Sequence, residues 1–206
     1  MPAHSGWAMP PSDKTDLERR IAAAGPADKL RGFFFQHIVE LVKQRISADA
    51  ARRILASLRP EGYAALRNYP ATELLRLMYA AVDELEPQMG VEAAFRACGA
   101  ASLDAFAKSA AGRVLFGVVA FGNPARLGSQ MELAFKTSVS FGKHEFHQTS
   151  PSGGIVQYRD DYLPPAYMEG VLFRAFEAIG HRVTVKRIEK TVSDVDFEIT
   201  WEPLKK

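Results

Sequence analysis

The sequence predicts an α+β domain, with an N-terminal helical part packed on a small four-stranded antiparallel sheet, arranged β-β-α-β-β at the C-terminus. Three observations carry this. From residue 28 to 135 apolar residues recur at three- and four-residue steps, the period of a helix with one buried face. After 135 the period falls to two, that of a half-buried strand. Between two such stretches Pro164 and Pro165 open another helical pattern, which Gly180 ends.

The elements follow in order. Residues 1–27 are expected to form a flexible tail, rich in proline and glycine at its start, with a short helix in "TDLERRIAAAG". Residues 28–206 are expected to form a single α+β domain. "DKLRGFFFQHIVELVKQR" spaces Leu30, Phe33, Phe34, His37, Ile38, Leu41 and Val42 as a helix would. Ser47 is placed to cap "ADAARRILASL", since its hydroxyl can accept a free N–H of the first turn. "ATELLRLMYAAVDELEP" repeats the pattern, and Pro87 is expected to stop it. "VEAAFRACGAASLDAFAKSA" continues the series. "AGRVLFGVVAFG" is apolar almost all round and is read as the most buried helix. Asn123 and Pro124 open "NPARLGSQMELAF". "KTSVSFGKHEFHQ" then alternates as a strand, with a bulge at Gly142, and "TSPSGG" turns it back into "IVQYRD". "RVTVKRIEK" and "DFEITW" form the second hairpin, with Phe197, Ile199 and Trp201 on one face.

Composition narrows the class of function. The 206 residues carry a net charge of +2, which gives no argument for nucleic acid. One cysteine, Cys98, allows no internal disulfide, and a reducing, cytoplasmic setting is expected. The start has no signal-peptide core, and "VLFGVVAF" is far too short to cross a bilayer, so no membrane insertion is expected.

No catalytic motif stands out. There is no nucleophile elbow, phosphate loop or dinucleotide fingerprint. His144 and His147, three apart in a strand, point to opposite faces and cannot chelate one metal, while Glu145 shares a face with His147. No metal site is expected. His37 lies on an apolar stripe and reads as a satisfied core histidine. Cys98 reads as a buried thiol. The basic residues Lys43, Arg45, Arg52, Arg53, Arg59 and Arg67 read as a solvated helix face. Asp160 and Asp161 can cap the helix that follows, or serve with His144 as acid/base groups.

The stretches "DKLRGFFFQHIVELV", "NYPATELLRLMYAAVDELEP", "GVEAAFRACGAASLDAFAKSAAGRVLFGVV", "GNPARLGSQMELAFKTSVSFG" and "LPPAYMEGVLFRAFEAIG" to "VDFEITWEP" carry a resemblance over residues 28–203. The chain resembles an uncharacterised family of about 200 residues, expanded as paralogues in myxobacteria, for which no biochemistry is implied. More distantly, it is similar to the superfamily of haem-nitric-oxide-binding domains, four-vinyl-reductase-type sensors and TRAPP-type tethering subunits. That likeness implies a helical part followed by a small sheet, and a role in sensing ligands or docking partners. The haem members carry a proximal histidine ahead of the sheet, and "GRVLFGVVAFGNPARLGSQMELAF" has none. They also carry a Y-x-S-x-R motif. Tyr158 matches its tyrosine, but Asp160 and Tyr162 stand where serine and arginine would. Haem is therefore disfavoured, and no other cofactor is expected.

The leading expectation is a non-enzymatic regulatory or sensor domain binding a small apolar ligand. Its pocket would lie between Leu115, Phe116 and Val119 on the apolar helix and Phe141, Phe146 and Tyr158 on the sheet. Tyr158, Arg159 and Asp160 would be its polar entrance. The alternative is a protein-interaction adaptor, homodimeric, with a filled core. An enzyme built on Asp160, Asp161 and His144 is the third reading.

Overall fold

A computed structural model describes residues 14–204. Residues 1–13, about half of the expected tail, fall outside the described residues. The tail helix is present as α1 (Lys14–Ala23). Its Asp16 and Arg20 are buried, and Arg20 donates to the carbonyls of Tyr162 (3.1 Å), Leu163 (3.4 Å) and Val192 (3.2 Å). A buried guanidinium is costly unless its donors are filled. Here Asp16, hydrogen-bonded to it at 2.8 Å, supplies the countercharge.

The helical part comprises α2 (Gly32–Arg45), α3 (Ala48–Leu58), α4 (Ala71–Met89) and α5 (Val91–Lys108). Ser47 caps α3 as its sequence predicts, accepting from the Ala50 amide at 3.0 Å. Leu74, Leu75, Met78, Val82 and Leu85 of α4 are fully buried, each worth about 1.5–3 kcal/mol of removed apolar surface. Pro87 does not stop α4. The helix runs two residues further, its last turn closed by the Gly90 amide on Glu86 (2.8 Å), and Gly90 leaves it at a φ of 80°. Two short strands that the periodicity did not disclose, β1 (Lys29–Arg31) and β2 (Asn68–Pro70), pair antiparallel and clip the starts of α2 and α4 together.

The stretch expected to be the most buried helix is the largest departure. It forms α6 (Ala110–Val114), then a π-helical turn (Leu115–Ala120), and ends at Phe121 in a left-handed conformation with φ 34°. Val118 is 71% exposed and Phe121 79%. The interior is already filled by α5 and α9 (Pro165–Ala178), which cross at their glycines. A Cβ on Gly99 would stand 1.9 Å from the Tyr167 carbonyl, and one on Gly170 2.0 Å from that of Arg96. With that contact made, the apolar run is left at the edge. Asn123 then caps α7 (Pro124–Ser129), accepting from Arg126, and α8 (Met131–Lys136) follows.

The strand expected from 137 begins later. Val139 makes only an isolated bridge to Leu30, Phe141 precedes the sheet, and Gly142 has a φ of 78° instead of forming a bulge. The irregularity of register lies between Gln148 and Ser150. The sheet has the four antiparallel strands predicted, β3 (Lys143–Ser150), β4 (Gly153–Arg159), β5 (His181–Glu189) and β6 (Val195–Pro203), and they stand in the order β3-β4-β6-β5. Phe197, Ile199 and Trp201 share its buried face. The helix α9 packs between α5 and this sheet, ending before Gly180 at φ 81°. A network of charges ties the layers at one edge: Arg187 of β5 reaches Glu92 of α5 (2.8 Å), and Arg96 of α5 reaches Glu169 of α9 (2.7 Å).

Candidate functional site

An apolar cavity lies where α2, α5 and α9 meet the π-helical turn, α7 and α8. The room it leaves for the centres of water-sized molecules is about 70 Å³, and the empty space among its walls, open solvent included, is about 700 Å³. Phe34, Phe106, Phe116, Met131 and Phe135 are its large wall residues, and none of its lining residues carries a charge. Polar chemistry is confined to Ser102, Ser138 and Tyr167. Ser102 is 1% exposed, and its hydroxyl makes no well-formed hydrogen bond. Tyr167 neighbours it, and burial pushes the Tyr167 phenol well above the usual tyrosine range.

Of the residues expected to form the pocket, Leu115 and Phe116 stand in this wall, brought there by the π-helical turn. Val119 lies in the same turn, with its side chain outside the described residues. The others go elsewhere. Phe141 stacks on Tyr162 (centroids 4.5 Å apart) and borders a separate polar crevice with Glu132, Lys136 and His144. Phe146 packs against Gly128 and Gly154, where a Cβ would meet its ring at 2.6 and 2.4 Å. Tyr158 is fully buried in the sheet layer, edge-on to Phe135 and Phe197, and its hydroxyl is also without a partner.

The expected polar entrance is not one. Arg159 donates to the carbonyls of Tyr158 (2.7 Å) and Val195 (3.2 Å) and to Asp196 (2.6 Å), which locks it across β4 and β6. Asp160 is exposed at φ 54°, its amide bonded to Asp194. The pocket needed residues from α5, α8 and α9, whose approach to one another follows from tertiary packing that no local period encodes. Ser102 had a weak signal, being a lone hydroxyl on the apolar face of a helix.

His144 and Asp161 do come together, buried, with Nε2 and Oδ2 2.8 Å apart. Phe135 stacks on the imidazole at 3.9 Å. Asp161 also accepts from the Leu163 amide (3.0 Å), so it fastens the β4–α9 connection; the helix cap position itself is Pro164. His147 is exposed beside Glu145 (3.3 Å), on the face opposite His144, as the strand period predicts. His37 is half-buried and bonds the Phe33 carbonyl (2.9 Å). Cys98 is buried, its thiol pushed up to about 12 by desolvation, which makes it a poor nucleophile. Among the basic residues of α3 and its surroundings, Arg52, Arg53 and Arg59 are paired with Asp49, Glu84 and Glu73. Among the described residues, no group of three His, Cys, Asp or Glu side chains could hold a metal ion. No helix there is long and apolar enough to cross a membrane.

Comparison with known proteins places this geometry. A family model described as "Protein of unknown function (DUF2378)" matches residues 23–202. The chain belongs to that family. No curated protein matches it. Solved structures do. An H-NOX protein from S. oneidensis in its Fe(II)NO state superposes with a TM-score of 0.67 at 15% identity, over 84% of this chain and 99% of that one. A doubly substituted Tt H-NOX gives 0.63 at 13%, over 86% and 98%. The unliganded Fe(II) H-NOX protein from K. algicida gives 0.59 at 13%, over 84% and 97%. The chain is thus a DUF2378 member with the H-NOX fold.

A haem does not fit the cavity's residues. Its lining offers no imidazole or thiolate for iron, burial holds the Tyr167 phenol protonated and so unsuited to ligate it, and no cation stands there for two propionates. His144 stacks on a wall residue, but Asp161 already holds its Nε2.

Proposed function

We propose that this DUF2378 protein is a non-enzymatic sensor domain that binds a small, mainly apolar ligand in the cavity between α5, α9 and the π-helical turn. The single observation that carries the reading is an uncharged cavity lined mainly by Phe, Leu and Met. Ligand sites are concave, mostly apolar and furnished with a few polar groups, and this one has that composition. The shared fold with proteins described with iron and nitric oxide supports a sensing role by analogy of architecture, with a different ligand. The π-helical turn supports it too. Such turns are frequent at functional sites, and this one is cavity wall on its inner side and exposed apolar surface on its outer side. A ligand that repacks Leu115 and Phe116 would therefore alter the surface at Val118 and Phe121.

Those exposed residues also favour a second reading, an adaptor that docks a protein partner, or a second copy of itself, through this turn. The two readings separate on the cavity. Nile red, a neutral apolar dye, binds the protein with a fluorescence increase if the cavity is a ligand site. Ala134→Trp fills the cavity from the half-buried face of α8 and lowers that affinity at least tenfold. Unchanged dye binding in a folded Ala134→Trp protein leaves only the adaptor reading.

A further inference from the structure

The chemistry at one end of the cavity specifies the class of ligand, on the reading that the cavity is a ligand site. Ser102 of α5 is in the wall, 1% exposed, with a hydroxyl that makes no well-formed hydrogen bond and has only the Tyr167 phenol within reach. Tyr158, buried at the sheet, carries a second unpartnered hydroxyl. Tyr167 of α9 lies in the wall with Ser102. Buried polar groups are almost always hydrogen-bonded, so an unsatisfied hydroxyl in the cavity wall needs a cause. Hydroxyls donate and accept, so the missing partner can be a carbonyl, an ether or another hydroxyl. It cannot easily be an ion. No Lys, Arg or His lines the cavity, and an ionised carboxylate or phosphate buried without a countercharge is strongly disfavoured. Burial also keeps both tyrosines protonated, which leaves no phenolate to attract a cation.

We infer that the cavity takes an uncharged, mainly apolar molecule carrying one neutral oxygen, and that this oxygen is met by the Ser102 and Tyr167 hydroxyls. The rest of the molecule lies against Phe34, Phe106 and Phe116. A fully apolar hydrocarbon fills the same space but leaves the hydroxyls unpaired. A fatty carboxylate of equal length brings a charge with nothing to meet it.

The test is displacement of Nile red at pH 8 by three probes of one chain length, 1-octanol, octanoate and n-octane. In the unaltered protein 1-octanol displaces the dye at a concentration at least tenfold below that of octanoate. It also outcompetes n-octane after correction for their difference in water solubility. In Ser102→Ala the advantage of octanol over octane falls at least fivefold. The unliganded Ser102→Ala protein melts at the same temperature or about 2 °C higher, because an orphaned hydroxyl has been removed. Octanoate binding as well as octanol overturns the inference, as does an octanol advantage that survives Ser102→Ala, which would assign the orphans to a trapped water. Both outcomes leave the cavity itself a ligand site. Failure of Nile red and of every probe to bind removes the sensor reading instead. The octanol-to-octanoate ratio needs no variant, so it decides the charge class whatever the substitution does to folding.

Discussion

Arg159 shows how a residue's partners decide its role. Its sequence neighbourhood, between Tyr158 and Asp160, made it a candidate for a pocket entrance. Its guanidinium is instead spent on Asp196 and two strand carbonyls. Burial alone would raise the Asp196 carboxyl, but hydrogen bonds and charge from Lys190 and Arg159 outweigh it and hold the group below the usual aspartate range. Arg159→Ala is expected to lower stability by about 2 kcal/mol at pH 7 and to leave Nile red affinity unchanged. The sign of its pH dependence follows from the depressed carboxyl. A group whose folded pKa lies below its unfolded value stabilises the fold above the unfolded value and loses that contribution as pH falls through the folded one. The gap between Arg159→Ala and the unaltered protein, measured by denaturant unfolding, therefore closes as pH falls below about 4. A gap that is constant from pH 7 to 3 would refute this assignment.

At the scale of elements, the apolar run 111–122 is where composition misleads. Hydrophobicity all round a helical stretch signals burial, yet α5 and α9 meet through Gly99 and Gly170 and leave this run at the edge. Phe121 pays for the turn that results, with its backbone left-handed and its ring in solvent. A non-glycine residue there costs about 1–2 kcal/mol. Phe121→Gly is expected to raise the melting temperature by about 3 °C, and Phe121→Val to lower it by a similar amount. Thermal melts that show the reverse order would mean that Phe121 contributes packing in solution that outweighs its strain. Other elements were legible because their signals are local. The hydroxyl of Ser47 and the amide of Asn123 cap as residues of their type do, and Phe197, Ile199 and Trp201 alternate onto one face. Pro87 was not a stop because it falls so close to the helix end that Gly90 could still close the last turn. The pairing of β1 with β2 is three residues long and set by contacts about forty residues apart, beyond any period.

For the whole molecule, the layering of helices on a four-stranded antiparallel sheet was legible in the change of period after residue 135, while the strand order β3-β4-β6-β5 was not. The site was legible only in part, through Leu115 and Phe116, since its other walls come from α2, α5, α8 and α9. Sharing the H-NOX fold while lacking an imidazole or a cation in the cavity separates architecture from ligand. The central claim is that this cavity holds an organic, uncharged ligand and no haem. Native mass spectrometry of the purified protein, with an absorbance spectrum of the same sample, tests it most directly. The account predicts a species heavier than the polypeptide by the mass of a small organic molecule, lost on gentle activation, with no absorbance near 400 nm beyond scattering. A Soret band with the mass of haem would contradict it outright.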